Sequence, residues 1–290
     1  MQQYYWTFLF ACSVCYSYAQ APSNDQVKTD TGYILRNVVI SAPRLQHFFT
    51  GNKEQKIDSL QLLTGRSQNL TELLSQYTPM FIRSYGLGGL AVASFRGSNA
   101  THTPVLWNGI NLQSSMNGVI DFSLIPNFFV DEVSLEYGSR ATLFGSGAVG
   151  GAILLNTNNK FNSGWHTSAT ISMASFGASQ YGFTSTYGTK KFYSSTKIFT
   201  QQAENNFTYT YKDSNYAQQN AKLQSYGLMQ ELGFIINPKN TINIRAWLQQ
   251  NTRQIPPPLY VTNDHGERKD ANIRINVEWK NEQKKNRSIL

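Results

Sequence analysis

The chain has 290 residues and a formal net charge of +8; 40% of its residues are apolar, 13% aromatic and only 14% charged. A charged fraction far below the ~25% of ordinary soluble domains, with so many aromatics, excludes a disordered chain and the Ala/Glu/Lys/Leu-rich long-helix class. Beyond the N-terminus no apolar run approaches the ~18 residues of a membrane-crossing helix, which leaves a β-rich protein, soluble or membrane-bound.

Tyr4 to Ala11 form a short apolar run, and Ser17-Tyr18-Ala19 places small residues at the −3 and −1 positions of a cleavage site. The segment reads as a secretory signal peptide, residues 1–19, cut after Ala19. Cys12 and Cys15 both lie in it, so the mature chain is expected to hold no disulfide, no thiolate metal site and no cysteine nucleophile. Asn37 to Ser41 is an extended apolar stretch ended by Pro43. Asn69 is placed to cap a helix, with Glu72 at the capping-box position; Leu70, Leu73, Leu74 and Tyr77 follow at helical spacing, and Pro79 ends it. Strand-like pieces come at 91–95, 103–107 and 132–137, separated by glycine turns, and another at 152–157. This half predicts a small α+β domain.

From residue 161 the pattern changes. Residues 1–160 hold 10 Lys+Arg against 9 Asp+Glu, whereas 161–290 hold 15 against 8. Six alternating segments are predicted as strands, at about 164–176, 179–188, 192–203, 225–237, 241–251 and 270–281. In 270–281, Ala271, Ile273, Ile275, Val277 and Trp279 share one face, opposite Asn272, Arg274, Asn276, Glu278 and Lys280. In 241–251, Ile242, Ile244, Ala246 and Leu248 oppose Asn243, Arg245, Trp247 and Gln249. About ten residues is the length of a tilted membrane-spanning strand, and fully charged residues on the polar face suit a wet lumen. The tight turns at 188–191 and 237–240 alternate with long polar connections at 204–224 and 252–269, the asymmetry of an outer-membrane barrel. A soluble antiparallel sandwich or meander is the alternative.

Several motifs carry no chemistry. Gly145-Ser146-Gly147-Ala148-Val149-Gly150 spells a dinucleotide fingerprint, but the strand-like Ala152–Thr157 follows it and no acidic residue occurs between Glu136 and Glu204. His47, His102, His166 and His265 are scattered, so neither a metal site nor a Ser/His/Asp set is indicated. Basic residues of the second half stand singly along strands and loops, which argues against nucleic acid as a partner. No enzyme activity is expected.

The chain resembles the TonB-dependent outer-membrane receptors, in particular their cobalamin (vitamin B12) receptor-like branch. The residues that carry this are Asn37-Val38-Val39-Ile40-Ser41-Ala42, the helix at 69–77, Ser84 to Gly89, Ser94-Phe95-Arg96-Gly97, Val105-Leu106-Trp107-Asn108-Gly109-Ile110, Asp131-Glu132-Val133, and the long closing motif Tyr137 to Gly151. Asn108 stands where the family more often has Asp, and Tyr137-Gly138-Ser139 where it often has Arg-Gly-Pro. The resemblance implies a flexible periplasmic segment at 20–34, a plug domain at 35–160, and the first six or so strands of a 22-stranded transmembrane barrel at 161–290. It implies that Asn37, Val38, Val39, Ile40, Ser41 and Ala42 meet a TonB-type periplasmic energy-transducing protein. It places Trp107, Asn108, Gly109, Asn111, Gln113 and Ser114 at a plug apex that touches the ligand, and Arg96 and Arg140 against lumen carboxylates of the barrel. No metal or cofactor is implied, and calcium is not carried over, since 204–224 offers only Glu204 and Asp213. The implied setting is the outer membrane, with its lipid, a large scarce nutrient and, as a further candidate partner, a surface lipoprotein. Cobalamin is the first expectation for the ligand and an iron–siderophore the second; a secreted β-structured binding or adhesion module without transport is the rival of another class. Six strands take roughly 22 residues each, so a 22-stranded barrel with its plug needs on the order of 640 residues, and the sequence is expected to be a fragment.

Overall fold

A computed structural model describes residues 53–257 and 265–281, apart from positions 87, 96, 99, 115, 117, 139, 140, 142, 143, 145, 146 and 149. The described residues fall within one compact unit. They form a small α+β plug and an open six-stranded sheet that packs against one side of it.

The plug opens with strand β1 (Glu54–Lys56) and helices α1 (Ser59–Thr64) and α2 (Leu70–Tyr77). Asp58 caps α1: its carboxylate accepts the Leu60 N–H at 2.7 Å, while the Gln61 side chain reaches back to the Asp58 N–H at 3.0 Å. Asn69 caps α2 as expected, accepting the Glu72 N–H at 3.0 Å, and the helix stops at Thr78, just before Pro79. These caps satisfy backbone donors that a helix cannot satisfy itself. Leu70, Leu73 and Leu74 turn the inner face of α2 into fully buried core. The hairpin β2 (Phe81–Ser84) and β3 (Ala91–Ser94) follows, then β4 (Val105–Trp107), β5 (Ile110–Asn111), β6 (Glu132–Tyr137) and β7 (Gly151–Asn156).

The plug sheet runs β1-β6-β7-β4-β5, with β4 parallel to β7 and the other pairs antiparallel. Asn108-Gly109 turns β4 into β5 with φ of 46° and 86°, the two positive values that a two-residue hairpin of this kind requires. The glycine-rich closing motif leads into β7, a strand rather than a helix, so the dinucleotide spelling has no nucleotide-binding geometry. Its last glycines pack tightly: a Cβ on Gly150 would lie 2.8 Å from Phe95 Cβ, and one on Gly151 2.8 Å from the Glu136 carbonyl oxygen.

The second sheet is an antiparallel meander in the order β15-β14-β13-β10-β9-β8. Its strands are β8 (Gly164–Ala174), β9 (Ala178–Gly188), β10 (Phe192–Ala203), β13 (Leu223–Asn237), β14 (Asn240–Gln254) and β15 (Glu267–Asn281). All six predicted strands form, and the last three extend further into the connections than periodicity alone indicates. The polar stretch 204–224 is not wholly irregular. It holds a two-stranded hairpin, β11 (Thr208–Tyr211) and β12 (Ser214–Ala217), turned by Lys212 and Asp213 at φ 48° and 62°, with Tyr209 stacked on Tyr216. Lysine-aspartate is a weak hairpin signal beside Asn-Gly, so the sequence pattern conceals it.

The meander is two-faced. Ile198, Tyr226, Leu228, Ile244, Leu248, Ile273, Ile275 and Val277 point away from the plug and are exposed. Lys197, Glu231, Asn243, Arg245, Asn251 and Arg253 point toward it and are buried. On β13 the outward face is bracketed by Tyr226 and Phe234, eight residues apart, or roughly 26 Å of strand. Near the tight-turn end, Tyr187, Phe192 and Phe234 form a row across β9, β10 and β13, with ring centroids 6.5 Å and 5.3 Å apart. An apolar band of ~25 Å rimmed by aromatics is what the hydrocarbon core of a bilayer accommodates. Among the described residues no helix is long and apolar enough to cross a membrane.

Candidate functional site

The plug meets the sheet through an aromatic seam. Trp107 at the end of β4, and Phe128 and Phe129 in a short 3-10 turn, face Phe199 of β10 and Trp247 of β14. Centroid separations are 5.4 Å for Trp107–Trp247, 5.6 Å for Phe129–Trp247 and 5.1 Å for Phe129–Phe199, all edge-on. Such pairs contribute ~0.5–1.5 kcal/mol each beyond the area they bury. The rings fit because the strands lack side chains beneath them. A Cβ on Gly182 would lie 2.4 Å from the Phe128 ring, and one on Gly227 2.3 Å from Phe199 and 2.8 Å from Phe129.

Charged pairs flank the seam. Lys197 Nζ, almost wholly buried, lies 2.7 Å from the Asp131 carboxylate and donates to the Phe129 carbonyl at 3.4 Å. Arg253 lies 2.8 Å from Asp121 and donates to the Gly88 carbonyl at 3.0 Å. Asp121 also accepts from the Ala91 N–H at 3.0 Å and the Ser123 hydroxyl at 2.7 Å, so it ties the plug loop, a plug strand and the sheet together. Gln249 and Gln180 donate to the Leu124 and Arg66 carbonyls at 2.7 and 3.2 Å. Within the sheet, Arg245 Nη1 bridges Asn276 at 2.8 Å and Glu278 at 3.1 Å, and its Nε lies 3.6 Å from the buried Glu231. At the plug's free edge, Glu132, hydrogen-bonded at 3.0 Å, and then Glu54 hold the Lys56 ammonium above its ordinary pKa.

The plug apex borders a cleft of about 460 Å³ between Asn111–Ser114 and the inner face of β15, where Arg268, Asp270, Asn272 and Arg274 line it. A second hollow of about 740 Å³ adjoins it at the long-connection end, lined by Tyr85, the plug glycine loop, Phe207 and Arg253. The predicted apex residues take different places. Asn111 and Ser114 are exposed at the cleft, and Gln113 is half-buried. Gln113 is locked by bonds to the Thr101 and Gly118 carbonyls at 3.1 and 2.7 Å, and Asn111 donates to it at 3.1 Å. Asn108 and Gly109 form the hairpin turn, where Asn108 accepts the Thr157 N–H at 3.1 Å. Trp107 is fully buried in the seam and does not reach the cleft. Asn37, Val38, Val39, Ile40, Ser41 and Ala42, with Arg96 and Arg140, lie outside the described residues.

Sequence reading gave no pairing role to Asp121, Asp131, Lys197 or Arg253, although Asp131 stands in a quoted motif, because single charges on loops and alternating strands give no hint of their partners. It also missed the seam, although a signal was present. Trp247, Gly182 and Gly227 occupy polar-face positions, and an aromatic or a glycine there marks contact with something packed against that face.

This arrangement, a small α+β domain seated on the charged face of a strand meander, is a fold shared with solved outer-membrane receptors. Residues 50–152 match the family model described as the TonB-dependent receptor plug domain, and the chain carries that domain ahead of strands folded as in such receptors. Two curated relatives are vitamin B12 transporters named BtuB. That of Photobacterium profundum is 32% identical over 104 residues, covering 36% of this chain and 16% of the relative. That of Vibrio cholerae serotype O1 is 37% identical over 93 residues, 32% of this chain and 15% of the relative. This chain therefore matches only a small part of their length. Among solved structures, the copper transporter OprC aligns with TM-score 0.58 at 17% identity, covering 69% of this chain and 31% of that one. The ferripyoverdine receptor of the outer membrane of Pseudomonas aeruginosa aligns with TM-score 0.55 at 15% identity, covering 73% and 26%. At these identities the solved structures define the fold and say nothing about a ligand. The relatives are transporters and receptors rather than enzymes.

Proposed function

We propose that this chain is the plug and first wall segment of a TonB-dependent outer-membrane transporter for a large, scarce nutrient, with cobalamin as the ligand. Residues 1–19 act as the signal peptide, 20–34 as a flexible periplasmic segment, 35–160 as the plug and 161–290 as the opening strands of a larger barrel. The observation that carries the substrate reading is the 37% identity to a vitamin B12 transporter over 93 residues. The apolar band on the outward face supports the membrane setting. The plug blocks the lumen, the nutrient docks at its outer apex, and a TonB-type protein engages the extended stretch Asn37–Ala42 by adding a strand to it. Pulling then favours a plug state that holds the ligand less tightly, because a ligand is released only by a difference in affinity between states. Arg96 and Arg140 are assigned to contacts with barrel carboxylates, and a surface lipoprotein is a candidate accessory partner.

Deleting residues 36–42 from the receptor in its native membrane is expected to abolish cobalamin uptake and leave cobalamin binding intact. Uptake that survives the deletion would count against the coupling role. A ferric chelate is the second reading, because the fold, shared with the ferric enterobactin and ferripyoverdine receptors, does not by itself select the ligand. Binding of a ferric siderophore without binding of cobalamin would select it.

A further inference from the structure

The sheet face beneath the plug holds a carboxylate that no cation closely matches. Lys197 pairs with Asp131 of the plug at 2.7 Å and donates to the Phe129 carbonyl at 3.4 Å. Arg245 commits Nη1 to Asn276 at 2.8 Å and Glu278 at 3.1 Å. Glu231 is left over. Its side chain is 1% exposed, and neither carboxylate oxygen has a hydrogen-bond partner among the described residues. Arg245 Nε stands 3.6 Å away, beyond hydrogen-bonding distance, and also lacks a partner there. This is not an effect of the sheet edge. β13 lies between β10 and β14, and Glu231 is already closed off from anything further strands could bring. A buried carboxylate without hydrogen bonds is costly, so its presence calls for a role in another state of the molecule.

The register of the strands supplies that role. Across β10 and β13, Ser195 pairs with Glu231 and Lys197 with Met229, so Lys197 and Glu231 are diagonal neighbours on the inward face. Diagonal neighbours stand about 7–8 Å apart, within reach of a long side chain. The lysine stem is flexible, so its ammonium can turn from Asp131 to Glu231 without any change in the strands. Withdrawal of the plug segment that ends at Asp131 strips Lys197 of both acceptors at once. Until the gap is wide enough to admit water, a buried ammonium without a partner opposes that motion strongly.

We infer that Glu231 is the receiving carboxylate for plug release: as residues 122–131 leave the sheet, the Lys197 ammonium passes from Asp131 to Glu231. The ion pair is exchanged rather than broken, so the departing plug leaves no orphan charge behind. This rests on the reading of the chain as plug and barrel wall, and adds a positioning residue to it. Glu231 acts through Lys197 and touches no nutrient.

Amide hydrogen exchange of the full receptor in lipid nanodiscs reads the release of residues 122–131. Glu231→Gln removes the receiving charge at nearly constant volume. Protection of 122–131 is expected to rise about tenfold, the loss of one charge-assisted hydrogen bond from the released state. A merely structural role for Glu231 predicts the opposite sign, with protection falling in 122–131 and in β13. In a Lys197→Met background Glu231→Gln is expected to leave 122–131 unchanged, because no ammonium remains to be received. Glu231→Met, apolar and of similar volume, is expected to behave as Glu231→Gln does and serves if the amide disturbs the sheet. Protection that stays level or falls in both Glu231 variants would overturn the assignment, and so would an equal rise in the Lys197→Met background. The readout needs neither nutrient nor TonB. Failure of the receptor to take up cobalamin would therefore sink the substrate reading and leave this result standing.

Discussion

Gly227→Ala tests the claim that the plug is held by an aromatic seam. Gly227 pairs directly with Phe199 across β13 and β10, on the face that meets the plug. The added methyl would lie 2.3 Å from Phe199 Cε1 and 2.8 Å from the Phe129 ring. Carbon atoms pack at ~3.5–4.0 Å, so the rings must move by roughly an ångström. They have little room, because Phe199 is 2% and Phe129 0% exposed, and each is locked edge-on against the other. Overpacking of this kind costs about 1–3 kcal/mol. The strand itself can absorb a methyl, so the cost falls on the seating of the Phe122–Asp131 segment. Amide hydrogen exchange reads it directly: protection of residues 122–131 should fall by roughly 5- to 150-fold, the equivalent of that energy. Protection in β9 and β14 should hardly change. Ile198→Ala, one residue from Phe199 but on the outward face, should leave 122–131 as protected as in the parent. If Gly227→Ala leaves exchange in 122–131 unchanged, the seam does not hold the plug.

Two further outcomes are expected. Lys197→Met and Asp131→Asn should each loosen the plug by about 1.5–3 kcal/mol, with strong non-additivity in the double variant, because the pair is short and Lys197 is desolvated. The half-exposed Lys222–Glu204 pair, also at 2.7 Å, should give under about 1 kcal/mol in the same double-mutant cycle. Ala246→Arg places a charge at the centre of the outward band, between Gln230 and Ile275, and should cost about 2–4 kcal/mol in a lipid refolding titration. Asn272→Arg on the inner face of β15 should be tolerated, and equal costs for the two would refute the assignment of the faces.

Much of this architecture is legible in the amino-acid sequence, and the reason lies in local physics. Alternation at 241–251 and 270–281 shows strand and face together, because the pleat sends successive side chains to opposite sides. Asn69 followed by leucines at helical spacing shows α2, because a cap and its helix are decided within a few residues of chain. The short helix α1 was missed despite its Asp58/Gln61 capping box, since six residues carry too little periodicity to stand out. The β11–β12 hairpin was missed because Lys212-Asp213 is an uncommon pair for its turn. The partners of the tightly packed glycines in the closing motif, Phe95 and the Glu136 carbonyl, could not be read from the sequence.

The sequence by itself thus determined the class of fold, the two faces of the wall, the existence of the plug and the family it resembles. The fold class and the two faces follow from periodicity, capping and turn chemistry, which act between near neighbours; the plug and the family are what the resemblance carried by motifs such as Tyr137 to Gly151 implies. Only the tertiary structure decided which charges pair and that Trp107 is a seam residue rather than a cleft residue. Those facts depend on contacts between residues on different elements, some of them more than a hundred positions apart, such as Trp107 with Trp247 and Asp121 with Arg253. No local rule sets such a contact. It follows from the register of six paired strands and from how the plug settles on the face they present.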